Sequence, residues 1–230
     1  MSGNVGGGTG SYGGGAVKVV FGGTLRVDGE VAADATPSGD HYSSAGGSVW
    51  LQAESLIGSG AIRADGGKVN GIDGGAGGRI AIHLTQASEL AFSGTVRAVG
   101  GRTSTDYTRG SCGTVYLETA ADAPGCGTLT IANLKDRSDS AYTGSYATDF
   151  PVIHENDNPT EAKGASVIVK HYGSLYLTQD ATVADIHLLD STAKLRLNGH
   201  RLRVRTFAHP VSPDDATQIS SASTATILRT

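Results

Sequence analysis

The sequence has 230 residues, a net charge of -4 and 34 glycines, and 38% of its residues are hydrophobic. Acidic and basic residues are interspersed, so nothing predicts a nucleic-acid-binding or membrane-binding basic patch, and no apolar run of about 18 residues predicts a membrane-spanning helix. The apolar residues recur in regular patterns, which excludes a disordered linker despite the high glycine content.

The N-terminal stretch, MSGNVGGGTGSYGGG, has neither the basic region nor the apolar region of a signal peptide. Its composition matches that of glycine-rich segments that recur further along the chain. We therefore expect Met1 to lie within a glycine-rich loop of a repeat, and the chain to be part of a larger protein.

Four sequence repeats follow, and they are opened by Gly15, Gly47, Gly78 and Gly113, at spacings of 32, 31 and 35 residues. The first three repeats share the same sequence of apolar positions. Those positions are Val17, Val19, Leu25, Val31 and Ala33 in the first repeat, Val49, Leu51, Leu56, Ile62 and Ala64 in the second, and Ile80, Ile82, Leu90, Val96 and Ala98 in the third. Self-similarity of this period predicts a solenoid or another repeat array.

A fourth, degenerate repeat consists of the segments CGTVYLETA and CGTLTIANL. Its apolar residues Val115, Leu117, Leu129 and Ile131 alternate with polar or small residues, as in the other repeats. Alternation with a period of two is typical of strands with one buried face, and no repeat sustains helical spacing. We therefore predict an all-β solenoid in which equivalent strands of successive repeats pair in parallel and are stabilised by stacking.

Long glycine-rich loops connect the repeats on one predicted side of the solenoid. They comprise Ser2 to Gly15, Asp34 to Gly47, Asp65 to Gly78 and Val99 to Gly113. Three of the loops carry a tyrosine, namely Tyr12, Tyr42 and Tyr107. An exposed row of these rings would suit a sugar or a partner surface, because loops on one side of a repeat protein often bind ligands. Alternatively, each ring covers the glycine backbone beneath it.

The predicted register also places side chains in columns on the outer face of the strands. Lys18, Trp50, Ala81 and Tyr116 form one column, and Trp50 is the only tryptophan in the chain. Trp50 and Tyr116 are candidate ligand-binding residues in this column. Aromatic side chains with one polar end are frequent at binding surfaces.

Arg63 and Arg97 are predicted to follow Ala32 in a second outer column. Side chains in neighbouring parallel strands lie about 4.8 Å apart, so these like charges need neutralisation. An anionic ligand such as a uronate or sulfate group would provide it, and so would solvent or the nearby Asp65. Asp34 and Asp65 are also candidates for binding Ca²⁺. The calcium-binding nonapeptide of β-rolls does not occur, however, and no cofactor is otherwise predicted.

Two cysteines, Cys112 and Cys126, precede the two strands of the fourth repeat. If both lie at equivalent corners of the solenoid, a disulfide between them would close a loop of about 15 residues and contribute roughly 3 kcal/mol. Unpaired structural cysteines are the alternative, and no His or Cys companion has metal-ligand spacing. A disulfide would suit an extracellular location.

The sequence predicts four segments: residues 1-134 as glycine-rich coils, 135-164 as a polar insertion or long loop, 165-207 as further coils, and 208-230 as a loop followed by an edge strand. Within 165-207, Leu175 and Leu177 recur as Leu195 and Leu197, and Val183 is matched with Leu202. These spacings indicate a coil of about 20 residues without a glycine-rich loop. We therefore expect the Asn198-Gly199 pair to form a corner between strands rather than a hairpin turn.

The segment LRLNGHRLRV resembles the L-x-L-N-G-H-x-L-x-V coil of right-handed parallel β-helix surface proteins of bacteria, which include autotransporter passenger domains. The segments GGSVWLQAESLIGSGAIRADGG and DGGAGGRIAI are similar to the glycine-rich β-helix repeats of large secreted bacterial proteins. The resemblance implies a right-handed parallel β-helix and a secreted or cell-surface location. Its matched residues specify architecture, and a shared fold does not decide between binding and catalysis.

Three functions are compatible with these observations. The first is a noncatalytic structural or adhesive module that binds a polysaccharide or a surface protein through its loop face. The second is a polysaccharide lyase or glycoside hydrolase with a cleft around Arg63, Arg97 and Asp65, although the sequence identifies no catalytic residues because its acidic residues do not converge in register. The third is an inert spacer.

Overall fold

The computed structural model describes residues 12-36, 43-68, 74-101, 110-133 and 164-208, together with the backbone of 148-149, 219-220 and 226-229. Within these residues the chain forms 19 strands and no helix. The same part of the chain therefore contains no helix long and apolar enough to cross a membrane. The all-β prediction is confirmed.

The strands in chain order are β1 (Ala16–Val20), β2 (Thr24–Arg26), β3 (Glu30–Ala32), β4 (Ser48–Ala53), β5 (Ser55–Gly58), β6 (Ala61–Arg63), β7 (Arg79–Leu84), β8 (Ala91–Phe92), β9 (Thr95–Arg97), β10 (Thr114–Glu118), β11 (Thr128–Ala132), β12 (Thr148–Asp149), β13 (Ser166–Lys170), β14 (Ser174–Tyr176), β15 (Ala181–Leu188), β16 (Lys194–Arg196), β17 (Arg201–Ala208), β18 (Ile219–Ser220) and β19 (Thr226–Arg229).

Each of the first three repeats contributes one strand to each of three parallel sheets. Strands β1, β4 and β7 begin a nine-stranded sheet, β2, β5 and β8 form a second sheet, and β3, β6 and β9 form a third. The predicted register is confirmed, since Val49 pairs with Ile80 and Ile62 pairs with Val96. The sequence repeat is thus a structural repeat.

Inward-facing side chains of these strands form the N-terminal core. Its most buried large members are Leu51, Leu56, Ile62, Ile80 and Ile82. Each contributes roughly 1.5 to 3 kcal/mol through removal of its apolar surface from water. Equivalent positions of successive repeats stack directly, so each repeat completes the core of its neighbour.

The nine-stranded sheet changes direction between β10 and β11. Strand β10 pairs in parallel with β7, but β11 lies antiparallel to β10, with Tyr116 opposite Leu129. Directly opposed residues of an antiparallel pair project to the same face of a sheet. Leu129 is buried, whereas Tyr116 points away from the N-terminal core. The buried face of the sheet therefore changes sides at this junction.

This reversal corrects the predicted fourth repeat. Val115 and Leu117 pack against the N-terminal core, as expected, but Leu129 and Ile131 belong to a separate cluster, the C-terminal core. The alternation of CGTLTIANL does form a strand with one buried face. Alternation alone does not specify chain direction, however, and an antiparallel strand with the same alternation buries the opposite side.

The second half of the chain builds the C-terminal core from two parallel sets of strands. Strands β11, β13, β15, β17 and β19 complete the nine-stranded sheet, and β12, β14, β16 and β18 form a four-stranded sheet. Strand β12 lies in the stretch that was predicted as a polar insertion. The most buried side chains of this core include Val167, Val169, Leu175, Ile186, Leu195 and Val204.

The register of the second half is confirmed at one predicted pair and corrected at another. Leu175 pairs with Leu195, as predicted from the 20-residue recurrence. Val183 pairs with Val204 and not with Leu202, which lies opposite Ala181. The shift arises because the segment from Leu195 to Leu202 is one residue longer than the equivalent segment from Leu175 to Ala181.

The Asn198-Gly199 pair lies in this longer segment, between β16 and β17. Both residues have positive φ, 48° for Asn198 and 81° for Gly199. They join β16 to β17, which belong to different sheets, so the pair forms a corner and not a hairpin. The predicted corner is therefore confirmed.

The described parts of the glycine-rich loops stack backbone against backbone. The N–H of Gly78 donates to the carbonyl of Ala64 at 2.7 Å, which closes the loop between them, and the carbonyl of Gly47 accepts from the N–H of Arg79 at 2.9 Å. A Cβ atom on Gly78 would lie 2.0 Å from the carbonyl oxygen of Gly47. The equivalent distances are 1.8 Å for Gly47 and 1.9 Å for Gly113.

The glycines at these positions are therefore required by close approach between repeats. Backbone conformation does not impose this requirement, since none of the three has a φ in the left-handed region. Gly15 occupies the same position in the first repeat, at the edge of the stack, where a Cβ atom would meet nothing within 4 Å.

Replacement of Gly78 by alanine should destabilise the fold, because the methyl group would overlap a neighbouring carbonyl that belongs to the backbone. We expect a loss of about 2 kcal/mol, or roughly 4 to 8 °C in the unfolding midpoint of a chain of this size. Gly15→Ala is the matched control and should leave the midpoint nearly unchanged. Equal midpoints for the two variants, measured by circular dichroism, would contradict the packing role of the glycines.

Candidate functional site

The outer face of the nine-stranded sheet carries the predicted aromatic column. Lys18 pairs with Trp50, Trp50 with Ala81, and Ala81 with Tyr116, so the predicted column is confirmed. Trp50 remains 39% exposed. Because alanine has a short side chain, Ala81 leaves a gap between the two aromatic residues, which are separated by two strand spacings, or about 10 Å.

A groove of about 540 Å³ lies over this gap. Its described lining includes Trp50, Ala81 and Tyr116, the hydroxyl side chains of Ser48 and Thr114, and the cationic side chains of Lys18 and Arg79. Leu129 of the C-terminal core borders the groove beyond Tyr116. The groove thus ends where the sheet changes its buried face.

Trp50 is held in place by a stack of side chains beside the groove. Its ring lies against the imidazole of His83, with ring centroids 4.2 Å apart and an interplanar angle of 27°. The imidazole in turn lies 5.7 Å from the ring of Tyr116, and its Nδ1 is 3.5 Å from Oε1 of Glu118. The imidazole, held by Tyr116 and Glu118, thus orients the indole from one side.

Glu118 connects this stack to the turn that reverses the chain. Its Oε2 accepts hydrogen bonds from the hydroxyl of Tyr116 at 2.6 Å and from the N–H of Gly125 at 2.7 Å. The Tyr116 hydroxyl also accepts from the N–H of Gly127 at 3.0 Å. The turn before β11 and the aromatic wall of the groove therefore share one hydrogen-bonded network.

The network changes the acidity of both side chains. Burial opposes the charge of Glu118, but the hydrogen bonds from Tyr116 and Gly125 prevail and hold its pKa below the ordinary value. Burial, together with the hydrogen bond to Glu118, raises the pKa of Tyr116 well above its ordinary value. At neutral pH the pair is therefore a phenol that donates to a carboxylate.

Sequence analysis did not identify Arg79, His83 or Glu118 as parts of this site. The relevant signal is their spacing, since each lies two residues from the aromatic column in its own strand and so shares the outer face. The contact of Tyr116 with Gly127 depends on the antiparallel turn, which the sequence repeat did not indicate.

The predicted column of Ala32, Arg63 and Arg97 is also confirmed by the register. Nε of Arg63 donates to Oδ2 of Asp34 at 3.0 Å, and its Nη1 donates to Oε1 of Glu30 at 2.7 Å. Burial opposes the charge of Arg63, but these carboxylates prevail and raise its pKa. The positive charge of Arg63 is thus balanced within the protein.

The same arrangement recurs one repeat later. Nε of Arg97 donates to Oδ2 of Asp65 at 2.8 Å, and the N–H of Val99 donates to Oδ1 of Asp65 at 3.1 Å. Burial raises the pKa of Asp65, although the contacts with Val99 and Arg97 oppose the shift. The N–H of Asp65 donates in turn to Oδ1 of Asp34 at 2.7 Å. Each carboxylate therefore bridges successive repeats.

The sequence predicts repulsion between Arg63 and Arg97. In the structure, carboxylates of the protein form ion pairs with both side chains and neutralise their charges. They also give Asp34 and Asp65 protein partners at the positions proposed for Ca²⁺. Among the described residues, no group of three or more His, Cys, Asp or Glu side chains is arranged to hold a metal ion.

The loop tyrosines are only partly described. Tyr12 is 71% exposed, and its backbone N–H donates to the hydroxyl of Thr36 at 2.9 Å. Tyr42 and Tyr107 lie outside the described residues, so a row of loop tyrosines stays a prediction.

Cys112 and Cys126 are not joined by a disulfide in the structure. Thr128, two residues after Cys126, pairs with Leu117, which lies five residues beyond Cys112. Five residues of extended strand span about 16 Å, whereas the Cα atoms of a disulfide lie within about 7 Å of each other. The antiparallel turn places the two cysteines at opposite ends of the hairpin, which favours the alternative of unpaired cysteines.

Comparisons of the chain with family models, with curated proteins and with solved structures each found no significant match. The site must therefore be interpreted from its own geometry. Its described lining presents the aromatic side chains of Trp50 and Tyr116 and the exposed cationic side chains of Lys18 and Arg79.

Neutralisation of Glu118 should weaken the network beside the groove. The pKa of Glu118 is lowered in the folded protein. The carboxylate therefore stabilises the fold at pH values above its ordinary pKa of 4.5, and this contribution is lost as the pH falls through the folded pKa. We expect Glu118→Gln to cost about 1 kcal/mol at pH 7, since hydrogen bonds to a charged acceptor become hydrogen bonds to a neutral one.

The cost should be smaller at pH 3 than at pH 7, because the wild-type carboxyl takes up a proton as the pH falls through its lowered pKa. Urea unfolding at both pH values, followed by the fluorescence of the single tryptophan, Trp50, measures this difference. A cost that is the same at pH 7 and at pH 3 would show that the charge of Glu118 does not support the network.

Proposed function

We propose that this chain is a noncatalytic structural and adhesive module that binds glycan through the groove beside Trp50. The observation that carries the proposal is the column in which Ala81 lies between Trp50 and Tyr116 on an outer sheet face. Sugar rings have one face rich in C–H groups, and aromatic side chains supply large, rigid contact surfaces for such a face. The groove over Ala81 is bordered by both aromatic rings and has a volume of about 540 Å³.

The polar lining also favours a sugar. Ser48 and Thr114 supply hydroxyl groups that can donate and accept hydrogen bonds, as sugar hydroxyls require. The described lining combines apolar, hydroxyl and cationic side chains. Glycoside hydrolysis generally uses a pair of carboxylates across the bond to be cleaved. We therefore favour binding without cleavage.

We further infer that the stacked repeats form a right-handed parallel β-helix. The support comes from parallel strands of successive repeats in one sheet, because connections between such strands are right-handed in about 98% of cases. The resemblance of the repeats to glycine-rich surface proteins of bacteria makes a secreted or cell-surface location the natural proposal. In that setting the stacked repeats would serve as a rigid support for the groove.

The proposal assigns binding to the sheet face and not to the loop face that bears Tyr12. A glycan microarray of neutral and acidic polysaccharides identifies the best ligand. The affinity of variants of each face for that ligand then distinguishes the two faces. We expect Trp50→Ala to weaken binding at least tenfold, because truncation of a central aromatic anchor commonly costs more than about 1.4 kcal/mol. Trp50→Phe should retain part of the affinity.

Tyr12→Ala is the matched control, since it removes an exposed aromatic ring at a distance from the groove. It should leave the affinity unchanged, while circular dichroism verifies the fold of every variant. Loss of binding in Tyr12→Ala with retention in Trp50→Ala would assign binding to the loop face. Failure of the wild-type protein to bind any glycan would contradict the proposal and favour the spacer function.

A further inference from the structure

The groove continues beyond Arg79 into a second depression. This second opening, of about 430 Å³, lies over the backbone of glycines at the start of successive repeats, including Gly14, Gly46 and Gly77. The two openings share the residues Ala16, Ser48 and Arg79. Arg79 therefore lies at the junction of a surface depression that runs along the strands from the glycines to Trp50.

Two cations line this depression. Lys18 and Arg79 are both exposed, and neither side chain forms an ion pair with the described residues. Arg63 and Arg97, on another sheet, are in contrast neutralised by carboxylates. The chain as a whole has a net charge of -4, so the positive charge of the depression is a local feature.

The position of Arg79 relative to the aromatic gap suits a substituent on a bound sugar. Arg79 pairs with Ser48 on one side and with Thr114 on the other, and it precedes Ala81 by two residues in β7. Two residues of extended strand span about 7 Å. A ring held over Ala81 would therefore have its edge within reach of the long Arg79 side chain.

We propose that the groove selects acidic glycans and that Arg79 recognises the carboxylate of a uronate unit. The planar guanidinium group donates two parallel hydrogen bonds that match the two oxygens of a carboxylate. Lys18, in the aromatic column, adds a second positive charge. The inference rests on the proposed function, since it names the ligand class of the same groove.

The experiment compares oligogalacturonate with a neutral oligosaccharide of the same length, by isothermal titration calorimetry at low and at high salt. The wild-type protein should prefer the uronate by at least tenfold, and added salt should reduce that preference because it screens exposed charges. Arg79→Gln should lower uronate affinity about tenfold or more and lower affinity for the neutral sugar by much less. Arg79→Lys should restore only part of the affinity, since an ammonium group does not provide the planar fork.

Arg201→Gln is the matched control, since Arg201 is also an exposed arginine at the start of a strand but lies in the second half of the chain. It should bind the uronate as the wild-type protein does. Equal affinity for uronate and neutral sugar, unchanged in Arg79→Gln, would overturn the acidic selectivity and leave glycan binding intact. Absence of binding to either sugar would contradict the proposed function itself.

Discussion

Close contact between glycine backbones is the constraint on which the rest of this structure depends. The carbonyl of each opening glycine lies where a side chain of the next opening glycine would have to be, as at Gly47 and Gly78. Because these glycines have no side chain, each glycine-rich loop can close and the next repeat can stack in register. The core benefits directly, because Leu51 and Ile82 meet only if the backbones reach this spacing. Glycine costs backbone entropy on folding, and inter-repeat packing must offset that cost.

The same stacking makes the outer face of the sheet regular. Side chains of successive repeats project in columns, so a single small residue, Ala81, is enough to open a gap between Trp50 and Tyr116. The reversal between β10 and β11 then limits the groove, since Leu129 of the C-terminal core lies beyond Tyr116. The site is therefore a product of two features: a repeat that aligns side chains, and an interruption of that repeat.

Sequence reasoning predicted the repeated part well because its signals are local and recur. The alternation at Val49 and Leu51, and its recurrence at Ile80 and Ile82, determined strands, faces and register together. The column that contains Trp50 followed from the same register. Recurrence of Leu175 at Leu195 likewise revealed the shorter repeat of the second half.

The antiparallel junction between β10 and β11, which interrupts the repeat, was not predictable in the same way. A strand and its reverse have the same alternation, so Leu129 and Ile131 did not indicate that β11 runs against β10. The expectation that Cys112 and Cys126 lie at equivalent corners followed from the parallel assignment of β11. Arg79 and His83 were overlooked because they are ordinary outer-face residues in sequence, and only the stack with Trp50 and the shared depression give them a role.

The central claim, that the groove beside Trp50 is the binding face, is tested most directly by nuclear magnetic resonance. The chain has one tryptophan, so its indole N–H gives one resonance that reports on Trp50 alone. Titration with oligogalacturonate should shift this resonance progressively to saturation, with a midpoint equal to the dissociation constant from calorimetry. Binding detected by calorimetry while the indole resonance stays unmoved would place the ligand elsewhere and contradict the account.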